Sequence, residues 1–186
     1  MNAASQIWDN LKSGNKSALK ELYDLYRTDL VRYGNKINPD EQLIEDAIQE
    51  TFISIWKYRN SVSMPLSVKN YMIKAFRNHL INIIQSRSNT TYTEESIHFS
   101  FEIGFDDKII ENEDAGILSA KINSAITKLS NRQREIIYYR FYENLSFEEI
   151  GELMEMQTRA TYKLMARAIS SLKDILGKNV FNLLFL

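Results

Sequence analysis

Apolar residues recur every three or four positions through most of the chain, a spacing that predicts helices rather than strands. The first helix runs from near Ser5 to Lys12, where Ser13-Gly14-Asn15 breaks it. The second covers Lys16 to Lys36 and buries Leu19, Leu22, Tyr23, Tyr26, Leu30 and Tyr33. Asn38-Pro39-Asp40-Glu41 starts the third, with Asn38 as cap, Pro39 in the first position and Glu41 closing a capping box. Its inward stripe is Leu43, Ile44, Ala47, Ile48, Phe52, Ile55 and Trp56. After a loop from Asn60 to Leu66, Ser67 caps a fourth helix that ends near Gln85. Val68, Tyr71, Met72, Ala75, Phe76, Leu80 and Ile83 or Ile84 form its core face. Further on, Ser146 with Glu149 makes a capping box, and Ile150, Leu153 and Met154 give that helix an apolar side. Met156-Gln157-Thr158 interrupts the pattern, and Thr158 is placed to cap a last helix with Thr161, Leu164, Ala168, Leu172 and Ile175 inward.

The stretch Thr90 to Asp114 lacks sustained periodicity and carries eight acids, Glu94, Glu95, Glu102, Asp106, Asp107, Glu111, Glu113 and Asp114, against Lys108. It reads as an acidic, flexible linker over 89–115. The expected architecture is therefore all-α, with a helical domain over 1–88 and a second over 116–186. Within the linker Ile97, Phe99, Phe101, Ile103 and Phe105 alternate with other residues, the mark of a short extended segment that docks on something. The apolar tail Val180-Phe181-Asn182-Leu183-Leu184-Phe185-Leu186 is expected to pack back on the second domain, with a docking element for another protein as the alternative. Only 6 Gly and 2 Pro fit the helical reading, and the lack of Cys excludes disulfides and thiolate metal sites. Neither a signal peptide nor an apolar run of membrane-spanning length is present, which makes the cytoplasm the expected location and insertion into a membrane unexpected.

Chemistry is sparse. His79 and His98 have no partner at ligand spacing, so no metal or cofactor is expected. Adjacent acids such as Glu45 and Asp46, or Glu148 and Glu149, point about 100° apart on a helix and share a metal poorly. No catalytic residue is proposed, and the chain is not expected to be an enzyme. Charge is more informative. The net charge is −1, yet Lys69, Lys74, Arg77 and Arg87 stand without any acid between Val68 and Thr90. From Gln157 to Lys178 the chain is basic again, with Arg159, Lys163, Arg167, Lys173 and Lys178 against Asp174.

The two short helices between Leu145 and Leu176, with a tight turn between them, have the layout of a helix-turn-helix, whose second helix enters the major groove of duplex DNA. Arg159, Tyr162, Lys163, Arg167 and Ser170 fall on its outer side. A helical hairpin with solvated cations has the same local pattern. On the third helix Asp46, Gln49, Glu50, Ile53 and Lys57 share an outer face, either a protein interface or a solvated surface. On the fourth, Lys69, Lys74, Arg77, Asn78, Asn82 and Gln85 are expected outward. Such a mixture of cations and amides suits nucleic acid, and a solvated face is the alternative.

Two motifs extend the reading. One is Ile44-Glu45-Asp46-Ala47-Ile48-Gln49-Glu50-Thr51-Phe52-Ile53-Ser54-Ile55-Trp56 followed by Tyr71-Met72-Ile73-Lys74-Ala75-Phe76-Arg77-Asn78-His79-Leu80-Ile81-Asn82. The other is Leu129-Ser130-Asn131-Arg132-Gln133-Arg134-Glu135-Ile136-Ile137 leading into the helix-turn-helix. In this order the chain resembles the two-domain, extracytoplasmic-function sigma factors of bacterial RNA polymerase, from about Ala18 to Ile175. The resemblance implies a subunit that binds core polymerase, directs it to promoters and helps open the DNA. It assigns Asp46, Gln49, Glu50 and Ile53 to core polymerase. Ser63 in the loop, with Lys69, Lys74, Arg77 and Asn78, goes to the minus-ten element, where Ser61 to Pro65 would border a pocket for a flipped base. Arg159, Tyr162, Lys163 and Arg167 go to the minus-thirty-five duplex. The acidic connector would thread the channel used by nascent RNA, and a membrane-bound anti-sigma factor is a further implied partner. Two features depart from the pattern: Glu155 stands in the turn where Gly is frequent, and Ile169, Ser170 and Ser171 stand where cations are frequent. The competing reading is a stand-alone helix-turn-helix regulator, which would need operator DNA but no polymerase.

Overall fold

Side-chain caps decide where most of the helices begin. The computed structural model describes residues 3–87, 97–102 and 113–177, with side chains from residue 116 in the last stretch. They form α1 (Ala3–Lys12), α2 (Lys16–Ile37), α3 (Glu41–Tyr58), α4 (Val68–Arg87), α5 (Glu113–Thr127), α6 (Asn131–Phe141), α7 (Phe147–Leu153) and α8 (Thr158–Leu176). The fold is all-α, with no strand among the described residues. It divides into two compact units, Met1–Thr93 and Glu94–Leu186.

The Asn15 carboxamide accepts the Ser17 N–H at 2.9 Å to open α2. At α3 the cap is Asp40, not Asn38: its carboxylate accepts the N–H groups of Gln42 and Leu43 at 2.9 and 3.2 Å. Asn38 instead closes α2, its N–H donating to the Gly34 carbonyl, and Pro39 stays outside the helix. An anionic cap next to the positive end of the helix dipole favours this later start. Ser130 with Gln133 and Ser146 with Glu149 form complete capping boxes on α6 and α7; losing such a cap costs about 1 kcal/mol. Thr158 is the first residue of α8 rather than its cap. Gln157 holds the cap position without a side-chain bond.

In the first unit, α2, α3 and α4 surround a core of Leu22, Leu30, Ile44, Ile48, Met72, Phe76 and Leu80, closed by Trp8 and Leu11 of α1. The Trp8 ring meets Tyr71 edge to face at 5.1 Å. Gly34 allows a close helix crossing, since a Cβ there would lie 3.0 Å from both Ile44 and Phe76 side chains.

The second unit buries Ile122, Ile126, Ile136, Tyr139, Ile150, Leu153, Met154, Ala168 and Leu172. Residues 97–102 join this unit in an irregular extended form. Ile97, Phe99 and Phe101 are buried while His98, Ser100 and Glu102 are exposed, the alternation expected of a docked segment. Phe99 and Phe101 each meet the Tyr138 ring at 5.6 Å, and Phe101 meets Tyr142 at 5.4 Å. Burial raises the Tyr142 hydroxyl pKa from its ordinary value. Thus part of the expected linker belongs to the second unit. Ile103, Phe105, most of the acidic stretch and the apolar tail lie outside the described residues.

Candidate nucleic-acid and protein interfaces

The turn between α7 and α8 depends on two residues. Gly151 lets the turn fold onto α7: Met156 N–H donates to its carbonyl at 2.8 Å, and a Cβ there would lie 2.9 Å from the Met156 oxygen. Glu155 adopts φ +53°, the left-handed region that glycine occupies without strain. The family pattern of a Gly in this turn therefore matches the backbone, and Glu155 takes up the conformation anyway. Under the turn, Thr161, Met165, Ala168 and Leu172 of α8 are buried. Leu164, expected inward, is half-buried, and Ile175 is exposed. Met165 takes the inward place because the buried side of α8 is turned slightly from the expected register.

Arg159, Tyr162, Lys163, Arg167 and Ser170 are all exposed on α8. At about 100° per residue the first four span roughly 140° of the helix surface. Beside them a cleft of about 470 Å³ lies between α8 and the start of α6, lined by Asn131, Arg132, Gln133, Lys163 and Arg167 among others. Arg132 Nη2 donates to the Met154 carbonyl at 3.1 Å, tying α6 to the end of α7. Sequence reasoning placed Arg132 in a motif but gave it no role. The missed signal is a cation in the first turn of a helix, where the dipole disfavours positive charge unless an anion comes near.

On α3, Gln49, Glu50, Ile53 and Lys57 are exposed, and Ile53 shows 59% of its surface. Asp46 is half-exposed and accepts from Arg87 of α4 at 2.7 Å. The outer face of α4 differs from expectation. Asn78 and Asn82 are exposed, and Lys74 and Gln85 are partly so, but Arg77 is buried, with 4% of its surface accessible. Arg77 thus belongs to the packing of the unit and presents no guanidinium to a nucleic acid. Ile73 and Ile81 turn inward with it, while Tyr71 and Ala75 move to half-exposure. The cause is that α4 packs against α1, α2 and α3 together. Its buried arc is therefore wider than one apolar stripe. Lys69 is half-buried, 3.7 Å from Asp29 of α2.

The loop from α3 to α4 is anchored at its root. Arg59 donates to the Trp56 carbonyl at 2.7 Å with its guanidinium 4.3 Å from the Trp56 ring centroid. Ser61 Oγ and N–H both donate to the Tyr58 carbonyl. Beyond it Ser63, Met64 and Leu66 are exposed, Leu66 to 90%, and Tyr58 is half-exposed at the root. These exposed apolar side chains on a rooted loop make it a candidate contact surface. Tyr58 and Leu66 were not singled out from the sequence, and Met64 was covered only by the range Ser61 to Pro65.

Comparison with known proteins decides what these surfaces belong to. The Sigma-70 region 2 family matches residues 22–90, and the Sigma-70, region 4 family matches residues 125–174. The chain is an extracytoplasmic-function sigma factor of the sigma-70 family. It is 22% identical over 163 residues to the ECF RNA polymerase sigma factor SigM of Bacillus subtilis (strain 168), covering 87% of this chain and 97% of that protein. To ECF RNA polymerase sigma factor SigW of the same organism it is 22% identical over 153 residues, covering 78% and 82%. Two solved structures share the fold: CnrH in complex with the cytosolic domain of CnrY (TM-score 0.62, 17% identity, 94% of this chain and 97% of that one), and the sigma factor RpoE in complex with the anti-sigma factor NepR from Bartonella quintana (0.53, 18%, 84% and 95%).

The region 2 match of this sigma factor contains α3, the rooted loop and α4, and its region 4 match contains α6, α7 and all but the last two residues of α8. Such a subunit initiates transcription by binding and is not an enzyme. Among the described residues no group of three or more His, Asp or Glu is arranged to hold a metal, and no helix is long and apolar enough to cross a membrane.

Proposed function

We propose a division of labour between the two units. The α3 face of Asp46, Gln49, Glu50 and Ile53 docks on core RNA polymerase, with the exposed Ile53 as its apolar centre. The loop carrying Ser63, Met64 and Leu66, with Lys74 and Asn78 of α4, meets the opened minus-ten strand. Lys69 contributes charge from the edge of that surface, and Arg77 supports it from within. Arg159, Tyr162, Lys163 and Arg167 of α8 read the minus-thirty-five duplex, and Arg132 meets a backbone phosphate in the adjoining cleft. The observation that carries this reading is the grouping of these four α8 side chains on one exposed arc beside a cationic cleft.

Work of this kind places the protein in the cytoplasm. By analogy with the RpoE–NepR complex, an anti-sigma factor is proposed as a further partner, tethered to a membrane as the family resemblance implies. The test is binding of the purified chain to bacterial core RNA polymerase, with and without promoter DNA. Tight binding to core, and specific DNA affinity arising only in that complex, is the expected result. Specific DNA binding by the chain alone, with no binding to core, would overturn it in favour of a stand-alone regulator.

A further inference from the structure

Tyr162 is the aromatic member of the α8 face, and its ring is held from behind. About half of its surface is exposed (52%), yet its ring centroid lies 4.0 Å from that of Phe147, the planes inclined by 32°. Phe147 is the first residue of α7. The guanidinium carbon of Arg140, at the end of α6, lies 5.2 Å from the same Phe147 ring. Arg140 Nη1 in turn donates to the Leu145 carbonyl at 2.9 Å. A cation and two rings therefore link α6, α7 and α8 into one column that ends at the surface. Tyr162 needs little further ordering to make a contact, which favours binding by a rigid aromatic side chain.

The position of the ring narrows what it can touch. Tyr162 is the fifth residue of α8, within the part of a recognition helix that reaches base edges in the major groove. Arg159 and Lys163 beside it suit phosphates and guanine edges. An aromatic ring edge suits the apolar feature of that groove, the 5-methyl group of thymine. We propose that Tyr162 reads a thymine methyl in the upstream duplex element, and that Phe147, with Arg140, is the residue pair that positions it. The inference rests on α8 being the duplex-reading helix of this sigma factor.

The probe is a duplex selected from a library randomised over the upstream element, using the full chain bound to core polymerase. Each thymine is then replaced in turn by deoxyuridine, which removes only the methyl group. At one position affinity should fall about fourfold, the equivalent of one buried methyl group. Tyr162→Phe should keep that loss and Tyr162→Ala should abolish it. Phe147→Ala should shrink it and Phe147→Tyr restore it, whereas a merely structural role for Phe147 would weaken thymine and deoxyuridine duplexes equally. If Phe147→Ala fails to fold, Phe147→Leu, which keeps an apolar side chain but removes the ring, takes its place in the same comparison, and Tyr162→Ala at a half-exposed site still decides the methyl contact. Equal binding of all thymine and deoxyuridine duplexes by the wild type, or an undiminished loss in Tyr162→Ala, would overturn the proposal while leaving the duplex-reading role of α8 intact. Failure to select any upstream duplex would overturn both.

Discussion

At Gly151 a methyl group would sit 2.9 Å from the Met156 carbonyl oxygen, closer than a side-chain carbon normally comes to backbone. That oxygen belongs to the turn leading into α8, so it can move only by shifting the helix that carries Arg159 and Tyr162. Gly151→Ala should therefore destabilise the second unit by about 1–3 kcal/mol, the usual cost of overpacking, and should weaken duplex recognition more than polymerase binding. Glu155 offers the opposite change four residues on. A non-glycine residue in the left-handed region costs about 1–2 kcal/mol, offset by the roughly 0.5–1 kcal/mol of extra chain entropy that glycine loses on folding. Glu155→Gly should accordingly stabilise the unit by about 0.5 kcal/mol, a rise of a few degrees in its unfolding midpoint. Thermal unfolding of both variants checks the pair: the two midpoints should move in opposite directions. A drop for Glu155→Gly would mean that the glutamate's own contacts outweigh the backbone strain.

The extended segment 97–102 shows how an element can be legible while its owner is not. Alternation of Ile97, Phe99 and Phe101 revealed that one side would be buried, but nothing local named the Tyr138–Tyr142 surface that covers it, because that partner lies some forty residues away in sequence. Phe99 is almost fully buried, its N–H 3.3 Å from the Asn131 side-chain oxygen. Phe99→Ala should cost about 3–5 kcal/mol, as other buried Phe truncations do. It should lower the unfolding midpoint of the second unit and leave the first unchanged; unchanged stability of both would show the segment to be dispensable packing. Helix starts were legible where one residue could cap, as at Ser146. They were not where Asn38 and Asp40 compete two residues apart, since the choice depends on where α2 ends. The α4 register failed for a related reason. Isoleucines at 73, 81, 83 and 84 supply apolar positions around much of the helix, so periodicity alone could not show that Ile73 and Ile81 turn inward and carry Arg77 with them. On α8 the exposed positions of Arg159, Tyr162, Lys163, Arg167 and Ser170 were legible from their spacing, whereas Leu164 and Ile175, expected inward, are half-buried and exposed because Met165 takes the inward place.

For the whole molecule the separation of the two surfaces onto different units is what makes their roles testable one at a time. If Arg132, Arg159, Lys163 and Arg167 each neutralise one phosphate, the upstream contact has a salt slope of about −3.5. Raising salt from about 50 to 200 mM would then weaken it on the order of a hundredfold. A contact so dependent on salt, in a chain of net charge −1, has little hold on DNA by itself and gains from being tethered to a second promoter contact on polymerase. Arg167→Glu should therefore weaken promoter binding by the polymerase-bound chain and lower the steepness of its salt dependence by about one unit, with binding to core polymerase unchanged. Asp46→Arg should do the reverse. Because Asp46 also pairs with Arg87, Arg87→Ala is the control that removes the ion pair and keeps the carboxylate. Both side chains are about half exposed, so the pair itself contributes no more than about 1 kcal/mol to stability, and Arg87→Ala should bind core almost as the wild type does. If Arg87→Ala lost polymerase binding as fully as Asp46→Arg, the salt bridge would be the element recognised, and Asp46 would act by holding α4 rather than by meeting polymerase.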